Sequence, residues 1–245
     1  MRFWGCIEMG GIPELFIFDW DGTLMDSEAR IVACMQAAAA DLKLQIPDAD
    51  NAKDIIGLGL REAVLKLFPE LQEESTNEMV ERYRHHFLRE NQTPSTLFPG
   101  AAETIRELAD RGYLLAVATG KGRQGLDLAL ESTGLSHCFH TTRCADETFS
   151  KPHPEMLLQI LDQLAVSPDS ALMVGDTEYD LQMARNAGVR SVAVSYGVHP
   201  LVRLLAHDPV FCLHDIREIC ERLEEIGTIE TTSSNKCLND STEPE

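Results

Sequence analysis

The chain has 245 residues, 44% of them hydrophobic and 25% charged, enough to bury a core of one elaborated domain or of a core with a smaller inserted one. Forty acidic against 21 basic residues give a formal net charge of -19, and no Lys/Arg cluster interleaved with aromatics offsets it, so no nucleic acid is expected as a partner. The seven cysteines (Cys6, Cys34, Cys138, Cys144, Cys212, Cys220 and Cys237) are scattered and never spaced CxxC, which points to reduced thiols in a cytoplasmic protein rather than disulfides or a zinc site.

The opening MRFWGCIEMGG has one arginine and no sustained apolar run, so neither a signal peptide nor a membrane span is expected there. LFIFDWD at 15 to 21 then reads as a buried parallel strand ending in acid. Asp19 and Asp21 stand two apart, and Gly22-Thr23 lets the backbone turn. Two carboxylates about 4 Å apart repel by roughly 4 kcal/mol at an effective dielectric of about 20, so burying both requires a cation. Mg²⁺, a hard ion that takes oxygen ligands, fits. A calcium loop does not, because Leu24 and Arg30 fall where its glycine and final glutamate belong.

From Ser27 to Pro94 only helical patterns occur: SEARIVACMQAAAADLKL, LREAVLKLF and STNEMVERYRHHFLREN. Ser75 with Glu78 predicts a capping box for the third. An all-helical stretch directly after the first strand reads as an inserted cap domain, residues 27–94, hinged near Leu24 to Ser27 and Thr93 to Pro99. The core domain is then 12–26 plus 95–227, with flexible termini at 1–11 and 228–245. The last of these is rich in Ser, Thr and Asn.

Three further strands, LLAVATG, ALMVGD and SVAVSYG, alternate with amphipathic helices. That alternation predicts an α/β fold with a doubly wound parallel sheet, whose ligands gather beyond the carboxyl ends of the strands. Thr119-Gly120 ends one strand and leads into a helix, where a hydroxyl and free amides suit a phosphate oxygen. Lys151, stiffened by Pro152 and Pro154, offers a fixed positive charge. Asp176 ends another strand, and Asp180 lies one helical turn later. Each fragment alone is compatible with an ordinary turn, helix cap or surface charge; their order on successive strand ends is what one site requires. His85, His86 and His153 are expected in solvent and carry no assigned role.

With these motifs in view, DWDGT, ATG, KPHPE and GDTEYD, the chain resembles the haloacid-dehalogenase-like hydrolases, in particular the phosphoglycolate-phosphatase-like branch with a helical cap, over about Leu15 to Ile226. The resemblance implies a Rossmann-like core and a Mg²⁺-dependent phosphomonoesterase. By it, Asp19 is the nucleophile that becomes an aspartyl-phosphate, and Asp21 is the general acid and base, with its backbone carbonyl on the metal. Asp176 completes the protein's metal ligands, Thr119 and Gly120 hold phosphate oxygens, Lys151 orients the nucleophile, and Asp180 supports it. The cap loop with Gly57, Gly59 and Arg61 is implied to face the substrate, Arg61 being available to a second anionic group.

Asp21 separates phosphatases from the dehalogenases that gave the superfamily its name. The implied substrate is a small phosphorylated metabolite such as 2-phosphoglycolate. Sugar-phosphate phosphatases or mutases, nucleotide phosphatases and a regulatory protein that keeps the fold without turnover stay open. A signalling receiver domain does not fit, since its acids precede its Thr and Lys. The sequence sets no oligomeric state.

Overall fold

The computed structural model describes residues 11–223; both expected flexible termini lie essentially outside them. Four strands form the centre of a six-stranded sheet: β1 (Leu15–Phe18), β4 (Leu114–Thr119), β6 (Ala171–Gly175) and β7 (Arg190–Val194). The sheet is parallel throughout, in the order β5-β4-β1-β6-β7-β8, where β5 (Thr141–Cys144) and β8 (Cys212–Leu213) are the edges. From β1 the chain moves outward to one side and later returns to build the other. Its reversal point therefore lies at the carboxyl end of β1, where a doubly wound sheet opens a crevice.

Alternation along β1 feeds two separate cores. Phe16 and Phe18 join the cluster with Ile105, Leu108, Leu126 and Leu130, from α5 (Ala101–Asp110) and α6 (Arg123–Thr133). Leu15 and Ile17 join Met156, Ile160 and Met183 on the opposite face, from α7 (Glu155–Leu164) and α8 (Glu178–Asn186). All four β1 side chains are fully buried, which is why this strand reads as an unbroken apolar run instead of an alternating one. α6 stops at Gly134 with φ 68°, the left-handed closure that glycine adopts without strain.

A short antiparallel pair, β2 (Met25–Asp26) with β3 (Thr96–Leu97), brackets the helical insert. The insert holds α1 (Glu28–Asp41), α2 (Ala49–Lys53), α3 (Leu60–Leu67), α4 (Glu73–His85) and one π-helical stretch, His86–Glu90. It has its own apolar cluster, centred on Met35, Ile55, Val64 and Met79. The capping box expected at Ser75 is absent: α4 begins earlier, after Gln72, with Glu73 and Glu74 in its first turn, where carboxylates favour the positive end of the helix dipole. His86 departs from the expectation as well. Its ring is only 12% exposed and contacts the carboxylates of Asp41 and Glu90. Among the described residues no helix is long and apolar enough to cross a membrane, and the described cysteines, Cys34, Cys138, Cys144, Cys212 and Cys220, are free thiols.

Candidate active site

At the end of β1 the Asp19 amide still donates to Val174 O (2.9 Å), which holds its side chain at the crevice. The chain then folds tightly, with the Leu24 and Met25 amides both donating to Trp20 O (3.0 and 2.9 Å) and Gly22 at φ 90°. A methyl group on Gly22 would fall 2.2 Å from Asp176 Oδ2, so only glycine lets this turn lie against that carboxylate. The Thr23 hydroxyl donates to Asp176 Oδ1 (2.8 Å), and the Val198 amide donates to Oδ2 (2.8 Å).

Lys151 enters from the loop before α7 and is wholly buried, with Nζ 2.7 Å from Asp19 Oδ1 and 2.6 Å from Asp180 Oδ1. The other Asp180 oxygen accepts from the Thr177 amide (3.0 Å) and hydroxyl (2.7 Å), closing a capping box at the start of α8. Asp180 is thereby locked, and it locks Lys151. Lys151 meets Asp19 at Oδ1 through charge and a side-chain hydrogen bond, while Asp19 Oδ2 has no partner among the described residues. Burial, together with Asp180 and Asp21, lifts the Asp19 carboxyl from 3.8 to about 7 despite Lys151. Burial and the neighbouring Asp19 and Asp180 raise Asp176 well above the usual range. Burial pulls Lys151 down, but Asp180 and Asp19 outweigh it and hold the ammonium charged.

One lysine thus faces three buried aspartates, Asp19, Asp176 and Asp180, whose ligand atoms lie within 4.8 Å of one another. Hard carboxylate oxygens, Asp19 Oδ2 among them without a hydrogen bond, suit a divalent cation of the Mg²⁺ type. The Asp21 carboxylate turns elsewhere: it accepts from Ser27 Oγ (2.6 Å) and from Lys121 Nζ (2.9 and 2.8 Å). Lys121 went unassigned in the sequence, although it directly follows Thr119-Gly120; only its meeting with an acid a hundred residues upstream marks it.

Thr119 is buried at the end of β4, and its hydroxyl accepts from the Lys121 amide (3.2 Å). The helix starts slightly later than expected, at Arg123, whose amide already donates to the Asp146 carboxylate (2.9 Å). From the insert, the loop through Gly57 and Gly59 comes down on this region. The Gly59 amide donates to Ser150 Oγ (2.7 Å), next to Lys151. Arg61 reaches Asn77 Oδ1 (2.7 Å) and Glu73 Oε1 (3.4 Å) within the insert.

Between insert and sheet lies a cavity of about 750 Å³ whose lining includes Asp19, Asp21, Thr119, Gly120, Lys121, Gly57 and Arg61. Lys151, Asp176 and Asp180 are not in its wall. Of the residues singled out in the sequence, the structure therefore brings four core positions to the cavity and sets the other three against Asp19 from behind.

Residues 16–194 match the family model described as haloacid dehalogenase-like hydrolase, and the chain belongs to that family. Within it, three similar proteins bear the names of phosphatases. "Probable phosphatase IndB" of Dickeya dadantii is 34% identical over 212 residues, 85% of this chain and 92% of that protein. "Pyrophosphatase PpaX" of Oceanobacillus iheyensis is 30% identical, covering 83% and 93%, and "Phosphoglycolate phosphatase" of Agrobacterium fabrum is 32% identical, covering 79% and 86%. The protein is accordingly a phosphatase of the phosphoglycolate-phosphatase-like branch.

Proposed function

We propose that this protein is a Mg²⁺-dependent phosphomonoester hydrolase that works through an aspartyl-phosphate on Asp19. The observation that carries the reading is the Asp19 carboxylate itself: buried, at the cavity, held at Oδ1 by a charged lysine and without a partner on Oδ2. Such a group is a positioned nucleophile with one oxygen open to the cavity.

Asp19 and Asp176 would hold the cation, with the Asp21 backbone carbonyl as a third ligand. When bound, Mg²⁺ supplies positive charge for the equatorial phosphoryl oxygens. Lys151 adds a second positive charge from behind, fixed by Asp180. Thr119 Oγ1 and the Gly120 amide hold phosphoryl oxygens at the end of β4. An Asp19 oxygen then forms a bond to phosphorus as the bond to the leaving oxygen breaks, and protonated Asp21 gives that oxygen its proton. Water attacks the aspartyl-phosphate in the second step. Ionised Asp21 takes its proton, phosphate departs, and the Asp19 carboxylate is restored. The helical insert acts as the cap that shuts the site from bulk water.

The substrate class is a small phosphorylated metabolite. 2-Phosphoglycolate, expected from the sequence, belongs to it, but its carboxylate would have to draw Arg61 away from Asn77 and Glu73. The free thiols suit a reducing compartment such as the cytoplasm.

A single-turnover reaction with a ³²P-labelled phosphomonoester, quenched in acid and digested, tests the reading. Label on the peptide carrying Asp19 is the expected result. Label on another residue, or none during a measurable burst of alcohol release, would overturn it.

A further inference from the structure

Phosphoryl chemistry at Asp19 uses only the floor of the cavity. The remainder of its roughly 750 Å³ is walled by the insert, with Ile31, Met35, Ile56, Val80, Tyr83 and Phe87 as its apolar face. Tyr83 and Phe87 lie parallel, ring centroids 5.8 Å apart and planes 20° from one another. Phe87 sits in the π-helical stretch that continues α4, a widened turn of the kind often found at functional sites. The ring also borders the catalytic floor, with Lys121 Nζ 4.5 Å and the Arg30 guanidinium carbon 4.7 Å from its centroid. The apolar wall is therefore continuous with the place where a leaving group must stand.

Charge sharpens the point. Three cations line the cavity, Arg61, Arg84 and Lys121. Each has a partner: Arg61 has Asn77 and Glu73, Arg84 has Glu81, and Lys121 has Asp21. Beyond Asp19 and Asp21 the lining adds three acids, Glu62, Glu81 and Asp146. A second anionic group on the substrate would meet acids and cations already engaged, whereas an uncharged ring would meet the half-buried rings of Tyr83 and Phe87, Ile31, Met35, Ile56 and Val80 being buried behind them.

We infer that this site selects phosphomonoesters whose leaving group is uncharged, largely apolar and ring-sized, seated against Tyr83 and Phe87, in preference to 2-phosphoglycolate or pyrophosphate. The inference rests on the phosphatase reading above but makes a separate claim about what the cavity binds. Burying one added ring on such a wall corresponds to about tenfold or more in affinity.

The test is calorimetric binding to the Asp19→Asn protein in magnesium chloride, using 2-phenylethyl phosphate, ethyl phosphate, 2-phosphoglycolate and pyrophosphate. The two alkyl esters share their phosphoryl chemistry and differ in the ring. Binding of 2-phenylethyl phosphate at least tenfold tighter than the other three is expected. Phe87→Ala in the same protein should shrink the ratio between the two alkyl esters to under threefold, and Phe87→Leu, which keeps an apolar side chain, serves if the alanine variant does not fold. Equal binding of the two alkyl esters, or tightest binding of 2-phosphoglycolate or pyrophosphate, overturns the inference. Hydrolysis by the unsubstituted protein is measured alongside. Were it to release phosphate from none of them while the binding order held, the phosphatase reading would fall and the binding claim would stand.

Discussion

Gly120 and Gly57 meet backbone to backbone across the cavity: a methyl group on Gly120 would lie 2.6 Å from the Gly57 carbonyl oxygen and 2.4 Å from that of Leu58. The insert is thus seated directly on the loop that ends β4, and no side chain fits between them. Gly120→Ala should hold the insert off by a fraction of an ångström to an ångström. Misplacement of that size costs on the order of 100-fold in rate. We expect kcat/KM to fall between about 10- and 100-fold while the melting temperature changes little. Full activity in the alanine variant would show that the contact has no part in turnover.

Among the described residues Lys151 is the cation paired with Asp19 and Asp180, two of three mutually close buried carboxylates, so its removal leaves like charges uncompensated in a low-dielectric interior. Breaking such a buried pair from one side costs about 3–5 kcal/mol. Lys151→Met should lose that much in urea unfolding of the metal-free protein, and Mg²⁺ should restore part of it. Asp19→Asn, by contrast, removes repulsion. It should match or exceed the parent in metal-free stability while turnover drops roughly a thousandfold or more. A variant that is both active and less stable would contradict both roles given to Asp19.

The same electrostatics fixes a pH dependence. In the metal-free protein Asp19 titrates near 7 against 3.8 in the unfolded chain, and Asp176 is raised in the same direction. Between those values the native state holds more protons than the unfolded one, so stability falls as pH rises through the window. Lys151, held above its ordinary 10.5, acts in the same direction, but only above that value and so outside the range considered. In EDTA the melting temperature should therefore be several degrees higher at pH 6 than at pH 8. Added Mg²⁺ should shrink the difference, and Asp19→Asn should flatten it. A melting temperature that rises from pH 6 to 8 in EDTA would refute this account.

The central strands were legible because β1, β4, β6 and β7 are covered on both faces and must be apolar, and each stops where a polar residue reaches the crevice. β5 and β8 were not. Both are edges with one neighbour, and the sequence of β5, TTRC, leaves Thr142 and Arg143 only half-buried. Asp19, Lys151 and Asp176 could be read from their place at strand ends, since that is set by local pattern. Lys121 could not be read in the same way, because its partners Asp21 and Phe87 come from the first strand's turn and from the insert. The early start of α4 shows the limit of a motif: Ser75 and Glu78 have the spacing of a capping box, yet the preceding Glu73 and Glu74 extend the helix past them.

A polar junction also ties the insert to the core. Asp54, just after α2, accepts from Lys66 Nζ (2.6 Å) and from Arg203 of α9 (Leu201–Leu205), while Arg203 also pairs with Glu178. The Tyr179 hydroxyl donates to the Asp54 carbonyl (2.7 Å). Burial alone would raise the Asp54 carboxyl, but its hydrogen bonds from Lys66 and Arg203 hold it below the usual range. With side chains about one-third exposed, water and salt screen the pair, so its worth is at the low end, about 0.5–1 kcal/mol. If the junction favours the seated insert, Asp54→Ala and Arg203→Ala should each lower kcat/KM by about two- to fivefold at low salt, and less in 0.5 M NaCl. The double variant should lose less than the product of the two single losses, because both remove the shared contact while Asp54 alone loses Lys66 and Arg203 alone loses Glu178. Losses that multiply, or that ignore salt, would mean that Asp54 and Arg203 act separately.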